Sequence, residues 1–266
     1  MSDDYILTEV RDGVGTITLN RPEVLNALSP EMTDRLARIT LQFQHDPAVR
    51  CVVFRGNGPS FLSGTDVAQM HHWLTEEREQ HLAEIETKVL RSHEIIQNLR
   101  RMPKPVIAAV HGAVAGLGCG ILLAADLAIA RDDTFMMVAY RHVGLSADCG
   151  VSHFLPRLLG ERRALQLGLL GERIDATTGL EFGLFNWVVD ADSFNDKIDK
   201  VVVSIMRGPA LALAEIKRLY RASHDNSWNE QSHQEAESIA ALAATADHLE
   251  GVAAFVEKRR PGFVGR

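Results

Sequence analysis

The chain has 266 residues, 46% hydrophobic and 24% charged, which excludes a disordered or collagen-like polypeptide and allows a full core without disulfide staples. Its 28 Lys+Arg against 35 Asp+Glu leave a net charge of −7, which argues against nucleic acid or an anionic membrane as the main partner. The three cysteines, Cys51, Cys119 and Cys149, cannot all pair and show no C-x-x-C spacing, so reduced thiols in a cytoplasmic protein are expected.

The start, Met1-Ser2-Asp3-Asp4, is acidic and predicts no signal or transit peptide. Residues 5–10 and 14–19 read as two short strands joined at Asp12-Gly13, a hairpin turn signal. Ser29-Pro30-Glu31 opens a helix with a cap, a proline in the first turn and an acid at the positive end. Met32, Leu36, Ile39 and Phe43 continue it at helical spacing. Residues 51–54 are an apolar strand closed by Gly56-Asn57-Gly58-Pro59. A small-residue loop, Phe61-Leu62-Ser63-Gly64-Thr65-Asp66, leads to one long polar helix over about 75–101, stopped by Pro103-Lys104-Pro105. Residues 106–110 predict a buried strand, 112–120 a glycine-rich stretch, then a short helix to Ala125 and strands over 127–130 and 135–139. The longest apolar run, 121–130, is broken by Asp126 and is far too short to span a membrane. A loop over 144–150 follows, and from Ser152 the pattern is helical except for a strand over 185–189. Helices alternate with strands to about residue 190 and then run alone, which predicts an α/β core over 1–190 and an all-helical region over 191–266.

Three segments could carry chemistry. Gly116-Leu117-Gly118-Cys119-Gly120 follows a strand and enters a helix, so its amides can face a ligand. It fits an oxyanion site, close helix packing, or a dinucleotide turn with Asp132 or Asp133 as ribose partner, although G-x-G-x-G is not the G-x-G-x-x-G fingerprint. Ser63-Gly64-Thr65-Asp66 could supply a second amide, or merely cap a helix. Asp148, among Leu145, Ala147 and Cys149, is either a helix cap or a partly desolvated base. His71 and His72 cannot share a helix face, no H-E-x-x-H or G-x-S-x-G occurs, and no metal site is expected.

In this order the segments resemble the crotonase family, the enoyl-CoA hydratases and isomerases. Asn20-Arg21-Pro22-Glu23-Val24-Leu25-Asn26-Ala27-Leu28 is similar to its N-R-P-x-x-x-N-A-L, and Gly56 to Asp66 to its G-x-G-x-x-F-x-x-G-x-D. Pro103 to Gly112 resembles its K-P-x-I-A-A-V-x-G strand. Leu155-Pro156-Arg157-Leu158-Leu159-Gly160 and the run from Ala253 to Phe263 fit as well. The resemblance implies a spiral of ββα units with two roughly perpendicular sheets and a C-terminal helical region that makes a homotrimer or a dimer of trimers. It implies a CoA thioester substrate and no separate cofactor. The thioester oxygen would sit between the backbone N–H groups of Thr65 and Leu117, the latter where many members carry glycine. Ser63, Thr65, Asp66, Val67 and Ala68 would line the CoA and acyl channel, with Leu25 and Ala27 near the nucleotide end. Lys258 and Phe263 match a tail that touches CoA, often from a neighbouring subunit.

The departures from the family are specific. The two glutamates with which its hydratases activate water fall on Gly120 and Tyr140. One acid remains, Asp148, where some family isomerases and a dehalogenase keep a working aspartate. Residues 145–150 look most like the ring-epoxide and enoyl-CoA isomerases. The resemblance therefore implies double-bond migration through an enolate, with Asp148 as acid/base and Tyr140 beside it. Hydration is the first alternative. A non-catalytic acyl-CoA-binding protein and a nicotinamide enzyme are the others.

Overall fold

The computed structural model describes residues 5–265. The acidic first four residues, on which the expectation about targeting rests, lie outside the described residues. β1 (Ile6–Arg11) and β2 (Val14–Leu19) pair antiparallel with Arg11 opposite Val14. Asp12 and Gly13 between them have φ of 50° and 81°, the left-handed pair of a hairpin turn whose twist matches the strands. α1 (Pro30–His45) starts where expected: the Ser29 hydroxyl accepts the Met32 N–H at 3.3 Å, and Met32, Leu36, Ile39 and Phe43 are buried.

β3 (Cys51–Gly56) is followed by two helices rather than the single one predicted. α2 (Val67–Glu76) begins earlier because the Asp66 carboxylate takes the N–H groups of Ala68 and Gln69. α3 (Arg78–Arg101) is set off from it by Glu77, at φ −131°. Next come β4 (Val106–Val110), β5 (Ala113–Ala115), α4 (Leu117–Ala124), β6 (Leu127–Arg131) and β7 (Phe135–Met137). A 3-10 turn over Ala139–Val143 ends β7 before the predicted limit. α5 (Val151–Leu159) and α6 (Glu161–Leu170) precede β8 (Arg173–Asp175), a strand the sequence reading lacked. Only Ile174 of β8 points inward, and three residues are too few for a period. α7 (Ala176–Glu181), β9 (Trp187–Val189) and the helices α8 (Phe194–Met206), α9 (Ala210–Ala222), α10 (Trp228–Ala243) and α11 (Ala246–Val256) complete the described chain.

The larger sheet has the order β1-β2-β3-β4-β6-β9, parallel from β2 onward. β4 is buried at every residue, as a strand covered on both faces must be. The smaller sheet, β5-β7-β8, pairs β5 with β7 in parallel. Cys51, Cys119 and Cys149 are all buried and unbridged.

The helical region is tied to the core by a charge cluster. Lys217 and Arg221 of α9 reach Asp126 at 2.7 and 2.5 Å, and both also donate to the Leu99 carbonyl near the C-terminal end of α3. The same carboxylate accepts the Val106 N–H at 2.8 Å, so one side chain fixes α9, α3 and the start of β4 together. Farther on, the Asp247 carboxylate holds the N–H groups of Val264 and Gly265, folding the tail back along α11. The outward faces of these helices are strongly apolar: Tyr220, Trp228, Leu249 and Phe255 are 75, 74, 73 and 86% exposed.

Candidate active site

The loops after β2, β3 and β4 meet at the C-terminal ends of parallel strands, the place where such sheets present ligand sites. Asn26 is the hub. It is fully buried at φ 59°, a conformation asparagine tolerates better than most residues. Its amide donates to the carbonyls of Asn57, Ser60 and Phe61 at 3.0, 2.7 and 3.2 Å, and its oxygen accepts the Arg21 N–H at 2.8 Å. The Arg21 guanidinium spans from the Ala27 carbonyl to Asp66 at 3.0 Å. The Asp66 carboxylate is thereby spent on Arg21 and the α2 amides. The resemblance to N-R-P-x-x-x-N-A-L thus has a mechanical meaning that spacing alone did not reveal.

Thr65 forms a parallel bridge with Leu28, in which the Leu28 N–H donates to Gly64 and the Asp66 N–H to Leu28. That pattern turns the N–H of Thr65 to the opposite side. There it faces Gly116. A side chain on Gly116 would lie 3.0 Å from the Gly64 Cα and 4.0 Å from the Thr65 nitrogen, so only two glycines permit this approach. Leu117 is the first residue of α4, where an N–H has no partner within its own helix. Its side chain is buried. The two loops thus bring one exposed amide and one helix-start amide to neighbouring positions, an arrangement that can bind an oxygen bearing negative charge. Leu25 and Ala27 run alongside, with the Ser63 N–H on the Leu25 carbonyl at 3.1 Å. The Gly118 position, by contrast, is pressed against the Leu62 carbonyl and serves packing.

Asp148 is half-buried and accepts the Tyr140 hydroxyl at 2.6 Å. It is not a helix cap, because α5 begins after Gly150 and no side chain caps it. Burial, reinforced by the Asp148 charge, pushes the Tyr140 phenol far above its ordinary value, so it stays a donor. Burial also raises the Cys149 thiol, which therefore stays protonated and unreactive. The Cys149 N–H donates to His93 Nε2 of α3 at 3.1 Å. Its carbonyl lies against Gly120 of α4: a Cβ there would come within 2.5 Å of that oxygen and 2.8 Å of the Cys149 Cβ. Gly120 is one turn along α4 from Leu117, about 5 Å of rise, which sets Cys149 against α4 one turn from the Leu117 amide. Position 120 accordingly has no room for a side chain. Gly120→Ala is expected to lose about 1–3 kcal/mol by overpacking, read as a lowered midpoint in urea unfolding. An unchanged midpoint would contradict the close contact.

Val67 and Ala68 are exposed at the start of α2, next to Thr65. Lys258 and Phe263 stand apart. Among the described residues no hydrogen bond ties either to this constellation, and Phe263 instead packs near Gly251 on α11. A dinucleotide site does not form here. β5 intervenes between β4 and α4, and Asp133 is engaged by Arg131 at 2.7 Å. Among the described residues, no three His, Cys, Asp or Glu side chains converge as metal ligands. His93 carries no signal in the local sequence, because its partner is a backbone amide 56 residues away.

Comparisons with known proteins give the family and the fold. A family model described as enoyl-CoA hydratase/isomerase matches residues 9–266. The 1,2-epoxyphenylacetyl-CoA isomerase of Escherichia coli K12 is 33% identical over 264 residues, 99% of each chain. A Rhodobacter capsulatus protein named as a probable enoyl-CoA hydratase is 34% identical over the full length of both. A crystal structure from Mycobacterium abscessus described as an enoyl-CoA hydratase/isomerase superposes with a TM-score of 0.92 at 35% identity, covering 98% of this chain and all of that one.

Proposed function

This chain belongs to the enoyl-CoA hydratase/isomerase family, and from that premise we propose that it shifts a double bond in an acyl-CoA thioester with one carboxylate, that of Asp148. The observation that carries the proposal is the pairing of Asp148 with Tyr140 at 2.6 Å beside a helix turn where Gly120 leaves no room for a second acid. In this reading the thioester oxygen accepts hydrogen bonds from the Thr65 and Leu117 amides. Asp148 takes a proton from C2 of a 3-enoyl-CoA, and the electron pair of that C–H bond delocalises into a dienolate. The same carboxyl returns the proton to C4, the double bond settles between C2 and C3, and no atom is gained or lost. Each amide contributes on the scale of about 2.7–4 kcal/mol of barrier in comparable oxyanion sites. The Tyr140 hydroxyl holds one carboxylate oxygen and leaves the other for the transfer. The likeness to the Escherichia coli isomerase supports a ring-epoxide CoA ester as a second substrate type for the same machinery.

Hydration is disfavoured because syn addition of water calls for two groups around one water, and here a glycine and a tyrosine stand in their places. We further propose that the exposed apolar faces of α9, α10 and α11 close a homotrimer, in which Lys258 and Phe263 reach a neighbouring subunit's CoA. The test is product analysis on matched 3-enoyl-CoA and 2-enoyl-CoA esters in deuterated water. Isomers with the double bond moved and no water added are expected, with C4 carrying mainly the proton taken from C2 rather than solvent deuterium. A product heavier by one water, formed faster than the double bond moves, would overturn the assignment.

A further inference from the structure

The peptide after Asp148 is held in an unusual way. Cys149 has φ 50°, a left-handed conformation unfavourable for a residue with a Cβ, and Gly150 continues at φ 79°. Two successive left-handed residues persist only where their surroundings hold them. Three contacts do so. The Cys149 carbonyl rests on Gly120 of α4, the Val151 N–H returns to the Asp148 carbonyl at 3.0 Å, and the Cys149 N–H donates to His93 Nε2 at 3.1 Å. Of the three, only the last comes from a side chain, and it comes from α3, which packs against α4.

We propose that His93 is a positioning residue: by accepting the Cys149 amide it clamps the turn that aims the Asp148 carboxylate at the substrate. The inference rests on the assignment of Asp148 as the acid/base. Its direction is set from two sides. Tyr140 grips the carboxylate itself, and His93 grips the backbone one peptide further on. The hydrogen bond requires a lone pair on Nε2, so His93 acts as an acceptor and carries no proton at that nitrogen. Its ring does not take the substrate's proton.

The role needs an acceptor atom at a given reach, not an imidazole. His93→Gln places an amide oxygen about where Nε2 stands, whereas His93→Leu keeps bulk and removes the acceptor. With the isomerase assay, His93→Leu is expected to lower kcat by about 10–100-fold, the scale of an ångström-sized misplacement, while KM stays within about twofold. His93→Gln is expected to recover most of that loss. Hydrogen exchange of the peptide covering 148–151 supplies a readout independent of turnover. Exchange at the Cys149 amide should quicken in His93→Leu and return towards wild type in His93→Gln.

Unchanged kcat and unchanged exchange in His93→Leu would overturn the clamp. A glutamine variant as inactive as the leucine one, with its exchange restored, would make His93 a proton carrier instead and also overturn it. Failure of the underlying assignment is separate: it is seen as an active Asp148→Asn enzyme, whatever the exchange at Cys149. Should His93→Leu not fold, His93→Asn, whose oxygen falls short of the amide, gives the same contrast with glutamine.

Discussion

Asp148→Asn is expected to lower kcat for double-bond migration by about 10²–10⁴-fold, the usual contribution of a positioned acid/base group. The substitution is nearly isosteric. The asparagine oxygen still accepts the Tyr140 hydroxyl, now bonded at 2.6 Å, so the turn should keep its shape. What disappears is the capacity to bind and release a proton. Titration calorimetry with a non-isomerisable acyl-CoA should therefore give an affinity within a few-fold of wild type. Full activity in the variant would remove Asp148 from the chemistry. Wild type that binds CoA esters but turns none over would instead identify an acyl-CoA-binding protein on an enzyme's fold.

The largest stability effect is expected at Asp126. Its carboxylate is the anionic partner of Lys217 and Arg221, whose side chains are only 7 and 15% exposed. Burial pushes Lys217 down to about 8 and Arg221 down to about 10, against the opposing pull of Asp126. Asp126→Ala leaves both cations facing only carbonyl groups, and strips the Val106 N–H of its acceptor. Removing one member of a buried charge group costs about 3–5 kcal/mol, a large part of a domain's net stability. Urea unfolding should show that loss. Adding Lys217→Met should restore part of it, because one stranded charge is then gone. A loss below about 1 kcal/mol would mean that water reaches the cluster and screens it.

Much of the architecture was legible because its signals are local. Asp12-Gly13 encodes a turn through its backbone preference, Ser29-Pro30 a helix start, and Met32 to Phe43 a buried stripe. The break at Glu77 and the strand at Ile174 were not legible. The first falls inside a continuous polar run, where Glu77 leaves the helix at φ −131° with no side-chain cap, and the second is set by pairing with β7, which no three-residue window contains. Cap or base at Asp148 was also undecidable from residue type, since the same side chain serves both roles. Its environment removes the cap, by starting α5 at Gly150, and gives the carboxylate Tyr140 as a partner at 2.6 Å instead.

The order of motifs along the chain by itself pointed to the family, and the resemblance then singled out the two amides and the one acid as candidates, because residue identity and spacing are properties of the linear polymer. Tertiary structure alone decided which of them meet. Only folding presses Gly64 on Gly116 and Cys149 on Gly120, and only folding brings α3 to the Cys149 amide. Those contacts join segments separated by tens of residues, and their energies depend on distances of a few ångströms that no pattern of neighbours along the chain can express.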